Sequence, residues 1–307
     1  MAILQKTLED AAFDGIFTEV FHSEKLGLIN ADQLRLFQLN VVDNIFNFEA
    51  LKHFLLLNIG QYIYSRARMK KYKDDNELTI VAYKAVELMR NRSNGDDSWL
   101  GDELGDILLY VFLEQILGAP KLFSKFDVPT NGQLVPGSSG VHLLQPDKSI
   151  PSYQMVYGKS NITGDPRDAI NAAFVTLEAI KNDSSREMRL VDSTAFDKEF
   201  PPDVAEYLKN IIIPSNNTSI KRDTAFGVFL GYSLGLDGDK YQSEQFRTEL
   251  ERKMQLDIKN HVSYIADKIK AAKMERYSFY FYFLPFNEAS GEKRSIMNSL
   301  LGLKGGV

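Results

Sequence analysis

The apolar positions of the chain fall into blocks with different periods. Leu34, Phe37, Leu39, Val42 and Ile45, then Leu51, Phe54, Leu55, Ile59 and Ile63, recur at helical spacing. A third helix is expected over Glu77 to Met89, so residues 1–98 read as a mostly helical N-terminal region. The turn formers of NRSNGDDS (Asn91 to Ser98) then mark the boundary with a second region, residues 99–307.

Beyond that boundary the pattern changes. Leu100 to Leu117 predicts a strongly apolar helix, ended by Gly118 and Pro120. Extended runs follow at Lys121–Asp127, Gly140–Gln145 and Tyr153–Tyr157, separated by Gly, Pro, Ser and Asn clusters. Asp165 reads as an N-cap with Pro166 in the first turn of a helix through Ile180. A long connection holds a short helix at Asp203–Asn210 and leads to a strand at Ala225–Leu234. The chain continues with a helix from Ser243 to Lys273, striped by Phe246, Leu250, Met254, Ile258, Ile265 and Ile269, and a strand in YSFYFYFLPF. This alternation predicts an α/β fold in which helices cover a mixed sheet.

Composition narrows the class. A 44% hydrophobic content over 307 residues supports a sizeable core. Apolar runs such as Ile107–Leu113 fall well short of the roughly 20 residues of a membrane span. Glu9 and Asp10 argue against a signal peptide, so a cytoplasmic protein with no membrane partner is expected. The absence of cysteine excludes disulfides, thiolate zinc sites and cysteine nucleophiles, and His22, His53, His142 and His261 make no H-x-x-x-H pair. A net charge of −5 gives no whole-chain case for nucleic acid. A local case rests on Arg66, Arg68, Lys70, Lys71 and Lys73, which are either a solvated helix end or a nucleic-acid-binding patch.

Two constellations could carry chemistry. Glu103, Asp106 and Glu114 share one side of an apolar helix at about 100° per residue. They line its solvated edge or form a buried acidic centre, and a buried centre needs cations, hydrogen-bond donors, metal or water. Gly158-Lys159-Ser160 has the ending of a phosphate-binding loop, but Tyr153 stands where such a loop needs its first glycine. The phosphate-loop reading fails.

An acid-bearing helix, a three-stranded meander and another helix make the layout of restriction-endonuclease-like (PD-(D/E)xK-type) nucleases. There, strand carboxylates join the helix acid to hold Mg²⁺, and a lysine helps position the attacking water. The segments GDELGDILLYVFLEQILGAPKLFSK (101–125), GSSGVH (137–142), YGKSNITGDPRDAINAAF (157–174) and FGVFLGYSLG (226–235) resemble the C-terminal domain of the HamA and AbpA anti-phage defence proteins. The resemblance spans roughly Trp99 to Phe286 and is most specific in Leu-Gly-Ala-Pro-Lys-Leu, residues 117–122.

It implies a nuclease-like subunit of Hachiman defence working beside a superfamily-2 helicase, with DNA as a possible target. The helix acid is kept as Glu103, with Asp106 one turn on. The family's second-strand Asp is Ser139 here, followed by Gly140 and His142, and its Gly-Glu-Ser-Lys is Gly158-Lys159-Ser160-Asn161. With three of four chemical positions changed, the resemblance implies a degenerate centre and no cofactor. The alternative is an active metal-dependent DNase with a non-standard ligand set, such as Glu103, Asp106 and His142 with Mg²⁺. A structural interaction protein is the third reading. A degenerate centre further implies that Lys159 pairs with Glu103 or Asp106 in the former pocket. The helical N-terminal part is expected to make the partner contact.

Overall fold

A computed structural model describes residues 4–8, 12–93, 97–126, 135–147, 149–192, 196, 200–214 and 220–303. Its centre is a seven-stranded mixed sheet. In chain order the strands are β1 (Phe17–Val20), β2 (Asp32–Leu39), β5 (Lys121–Ser124), β6 (Gly140–Leu144), β7 (Ser152–Ile162), β8 (Lys221–Ser233) and β9 (Ser278–Phe286), while β3 (Val41–Val42) and β4 (Ile45–Phe46) form a separate small hairpin. Across the sheet the order is β1-β2-β9-β8-β7-β6-β5. Strands β7, β8, β9 and β2 are parallel, and β5, β6 and β1 run antiparallel to their neighbours.

The N-terminal region is a correction. The helix expected over Leu34–Ile45 is β2 followed by the hairpin, and β2 pairs in parallel with β9 from Asp32↔Phe279 to Leu36↔Phe283. Leu34, Leu36, Phe37 and Leu39 are all buried. A strand covered on both faces loses its two-residue alternation, so its apolar run imitates helical spacing. The helical part of the region is α1 (Phe48–Ile63), α2 (Arg66–Asp74), a 3₁₀ turn (Leu78–Ile80) and α3 (Val81–Ser93). The break expected at Asn91–Ser98 lies partly outside the described residues.

The acidic helix is α4 (Asp97–Phe112), which continues as a π-turn through Leu117 and stops where Gly118 adopts φ 71°. It is followed by the β5–β6–β7 meander, α5 (Pro166–Asn182), α6 (Arg186–Val191), α7 (Pro202–Ile212), β8, α8 (Ser243–Ala271), β9 and a C-terminal helix, α9 (Ala289–Leu300). Asp165 caps α5 by accepting from the Arg167 N–H at 2.7 Å, and α8 buries the six-residue stripe read from the sequence. The sequence reading had no counterpart for β1 or α9.

The sheet is covered on both faces. α4 lies against β7 and β8 on one face, flanked by α1 and α9, and α5 lies against the same strands on the other, flanked by α8. The first face closes around Phe112, whose ring lies 4.8–5.7 Å from those of Phe13, Phe17, Phe37, Phe229 and Tyr282. Close approach of α4 to β7 depends on glycine: a Cβ on Gly105 would stand 2.8 Å from Ser160 Oγ, and one on Gly158 would stand 2.9 Å from Leu109 Cδ2.

Candidate functional site

Strand alternation decides which residues of β7 meet the acidic helix. Gly158 and Ser160 face α4, so Lys159 and Asn161 project from the opposite face of the sheet. The strand also runs through the Gly-Lys-Ser-Asn segment to Ile162 rather than ending at Tyr157. These facts correct the expected pairing of Lys159 with Glu103 or Asp106.

The counter-cation is Lys125, just beyond β5. Its Nζ lies 2.6 Å from Glu103 Oε2 and 2.7 Å from Asp106 Oδ2. Both carboxylates are buried, Glu103 completely. Tyr62, from α1, donates its hydroxyl to Glu103 Oε1 at 2.7 Å, and Ser160 donates to Asp106 Oδ1. Ser139 also hydrogen-bonds Asp106, while its Oγ accepts from the Ser160 N–H at 3.2 Å. Four segments distant in sequence thus converge on one turn of α4.

Their electrostatics differ in sign. Burial raises the Glu103 carboxyl above its usual range, and neighbouring Asp106 pushes the same way. Burial also acts against the Asp106 charge, but the Lys125 ammonium and the hydroxyls of Ser139 and Ser160 outweigh it and hold Asp106 below its usual range. Burial would discharge Lys125, yet the two carboxylates keep its ammonium protonated well above the ordinary lysine value. The centre is therefore a charged Lys125–Asp106 pair with Glu103 as the group readier to take a proton.

The remaining acid of the helix belongs to a separate cluster. Glu114 is fully buried and accepts from the Thr7 N–H (2.6 Å), Thr7 Oγ1 (2.8 Å) and the Lys121 N–H (2.6 Å), tying the N-terminal segment to β5. Lys121 sends its Nζ to the carbonyls of Gln61, Tyr62 and Tyr64 at 2.9–3.1 Å, placing a cation where the end of α1 concentrates negative charge. His142 donates from Nδ1 to the Ala119 carbonyl at 2.8 Å, and burial lowers its pKa to about 4. It therefore takes no part in the acid pair, and no cluster of three His, Asp or Glu suited to a metal occurs among the described residues. The Leu-Gly-Ala-Pro-Lys-Leu segment has a structural account here: a left-handed Gly118, the Ala119 acceptor and the Lys121 cap.

Of the sequence candidates, Glu103, Asp106 and Ser139 come together. His142, Lys159 and Asn161 lie elsewhere, and the side-chain nitrogen of Asn161 is buried without an acceptor. Sequence reasoning missed Tyr62, Lys125 and Ser160. Only Ser160 carried a usable signal, since it shares strand parity with Gly158. The five cations of α2 also separate: Arg66, Lys70 and Lys73 border a groove, whereas Arg68 stacks over Tyr64 and Tyr72 at 4.9 and 5.7 Å.

Mg²⁺ requires a compact set of anionic oxygens. This centre offers two carboxylates already bridged by an ammonium, with hydroxyls or glycine at the strand positions facing them. The residues do not fit the ion.

Comparison with known proteins gives one family: the HamA family model matches residues 14–300, nearly the whole chain. No curated protein and no solved structure matches it. No described helix is long and apolar enough to cross a membrane.

Proposed function

Because the chain belongs to the HamA family, and so among proteins of anti-phage defence, we propose that it is a defence subunit whose nuclease-like centre is catalytically silent. The observation that carries this reading is Lys125 Nζ between Glu103 and Asp106, at 2.6 and 2.7 Å. A lysine in that place supplies internally the positive charge that a metal would bring. The restriction-endonuclease-like assignment is supported by the order α4, antiparallel β5–β6–β7, α5, parallel β8, with the acids facing β7. A subunit without chemistry of its own acts through partners. The one implied by the family resemblance is a superfamily-2 helicase on DNA, with this chain regulating the helicase or sensing its substrate.

A second reading has an observation behind it. Two carboxylates and a lysine meet on one turn of α4, and a metal-dependent DNase would require Lys125 to leave Glu103 and Asp106 before an ion could take its place. A supercoiled-plasmid nicking assay with Mg²⁺ and with Mn²⁺, with and without the neighbouring helicase, separates the two. We expect no nicking by this subunit. Metal-dependent nicking that disappears in Glu103→Gln would establish the DNase and remove the silent-centre reading.

A further inference from the structure

Lys125 stands one residue beyond β5, whose last pairing is Ser124↔Gly140, so other elements must fix its backbone. The Phe126 N–H donates to Ser124 Oγ at 3.2 Å, and the Phe126 ring meets that of Tyr62, from α1, edge-on at 5.6 Å. From α3, Arg92 lays its guanidinium 4.6 Å from the centre of the Phe126 ring and donates from Nη1 to the Lys125 carbonyl at 3.3 Å. One arginine thus grips both the backbone of Lys125 and the side chain after it.

The turn that carries Arg92 is itself anchored. Arg90 donates to the carbonyl of Leu301, the residue that ends α9, and Ser93 donates from Oγ to the Arg90 carbonyl at 2.8 Å. Met89 and Ser93 are buried. The last turn of α3 therefore bridges the C-terminal helix and the Lys125–Phe126 segment.

We infer that this turn is a clasp: Arg92 positions Lys125 between Glu103 and Asp106, so the internal cation is held in the centre from α3 as well as by the two carboxylates. The inference rests on the reading of Lys125 as the charge that silences the centre, and it adds the element through which that silence is controlled. The coupling runs both ways. Displacing the last turn of α3 frees Lys125, and withdrawing Lys125 loosens the hold on Arg92. A cation over an aromatic ring, with a hydrogen bond from a charged donor, shifts such an equilibrium by about tenfold. Lys121 is the internal comparison. It begins the same strand and is 1% exposed against 20% for the Lys125 side chain, its Nζ meets the carbonyls that end α1, and its own carbonyl accepts from Arg66 at 2.9 Å.

The test uses the full-length protein, a short pulse of acetic anhydride at mildly alkaline pH, and mass spectrometry to read acetylation lysine by lysine. In the parent, Lys125 should label slowly, because its ammonium is charged and lies between two carboxylates. Arg92→Ala should raise labelling of Lys125 about tenfold and leave Lys121 unchanged. Phe126→Leu removes the ring and keeps an apolar side chain, so it should raise Lys125 labelling in the same direction. Unchanged labelling of Lys125 in Arg92→Ala overturns the inference, and the same result in Phe126→Leu overturns it where Arg92→Ala does not fold. So does a rise shared equally by Lys121, which would report a general loosening of the chain. Plasmid nicking by the unmodified protein would remove the silent-centre reading and leave these outcomes as stated, because labelling reads where Lys125 sits and not what the centre does.

Discussion

Replacing Lys125 with methionine would keep the burial of Glu103 and Asp106 and remove their cation. Breaking one side of a buried pair costs about 3–5 kcal/mol, and we expect the lower end because the Lys125 side chain is 20% exposed. The urea midpoint at pH 7 measures it. In that variant Glu103, already raised by burial, titrates higher still when folded than when unfolded. Its protonated form is then favoured in the fold, and stability should rise as pH falls from 7 to 5. Lys159→Ala should cost under about 1 kcal/mol, because Lys159 faces away from the acids and is half-buried. A larger loss at Lys159 than at Lys125 would reverse the assignment of the counter-ion.

His142 gives a second pH signature. Unfolded, it titrates near 6.5; folded, near 4, because burial disfavours the imidazolium against the opposing pull of Glu114. Its contribution is present above the unfolded value and is lost as pH falls from about 6.5 towards 4, to a total of roughly 3 kcal/mol. His142→Gln should flatten that part of the stability profile relative to the parent. The residue scale also marks what the sequence could and could not tell. Glu103 and Asp106 were legible because spacing on a helix reports a shared face. Lys125 and Tyr62 were not, because nothing in their own surroundings says which distant turn they meet.

At the scale of elements, the centre depends on how closely α4 approaches β7. Gly105→Ala would drive a methyl group towards Ser160 Oγ, which also donates to Asp106. Relief requires α4 to lift or Ser160 to turn away, and such overpacking costs about 1–3 kcal/mol. A thermal melt checks the expectation, and Ser160→Ala in the same background should recover part of the loss. Elements with one buried face were readable from their stripes, as α8 shows with its six apolar residues. β2 was not, since cover on both faces erases the alternation that names a strand. β7 was readable as a strand but not in its extent, because Gly158 and the polar residues after it imitate a strand end.

Across the whole molecule, the seven-stranded sheet draws on both sides of the boundary expected near residue 98. Removing residues 1–98 would delete β1, β2 and α1, leaving β9 as a long unpaired edge whose nine residues are all buried in the intact chain. We expect the remaining chain, 99–307, to be insoluble or aggregated on expression, as an exposed apolar edge dictates. A soluble, cooperatively melting 99–307 fragment would restore the two-region description.

The pairing of β2 with β9 also sets an order of events in time. Asp32 and Phe279 are about 250 positions apart, and β2, the earlier of the two strands, waits for β9. At ribosomal speeds the interval is roughly 10–50 s, and during it β2 has β1 on one side while the edge that β9 covers stays open. Closure of so distant a pairing is slow by its topology, since a large loop must be ordered before the contact rewards it. The nascent chain thus carries an apolar strand with one open edge throughout the synthesis of the residues between β2 and β9. That makes it a natural client for chaperones that bind extended apolar segments, and the interval ends only when β9 leaves the exit tunnel.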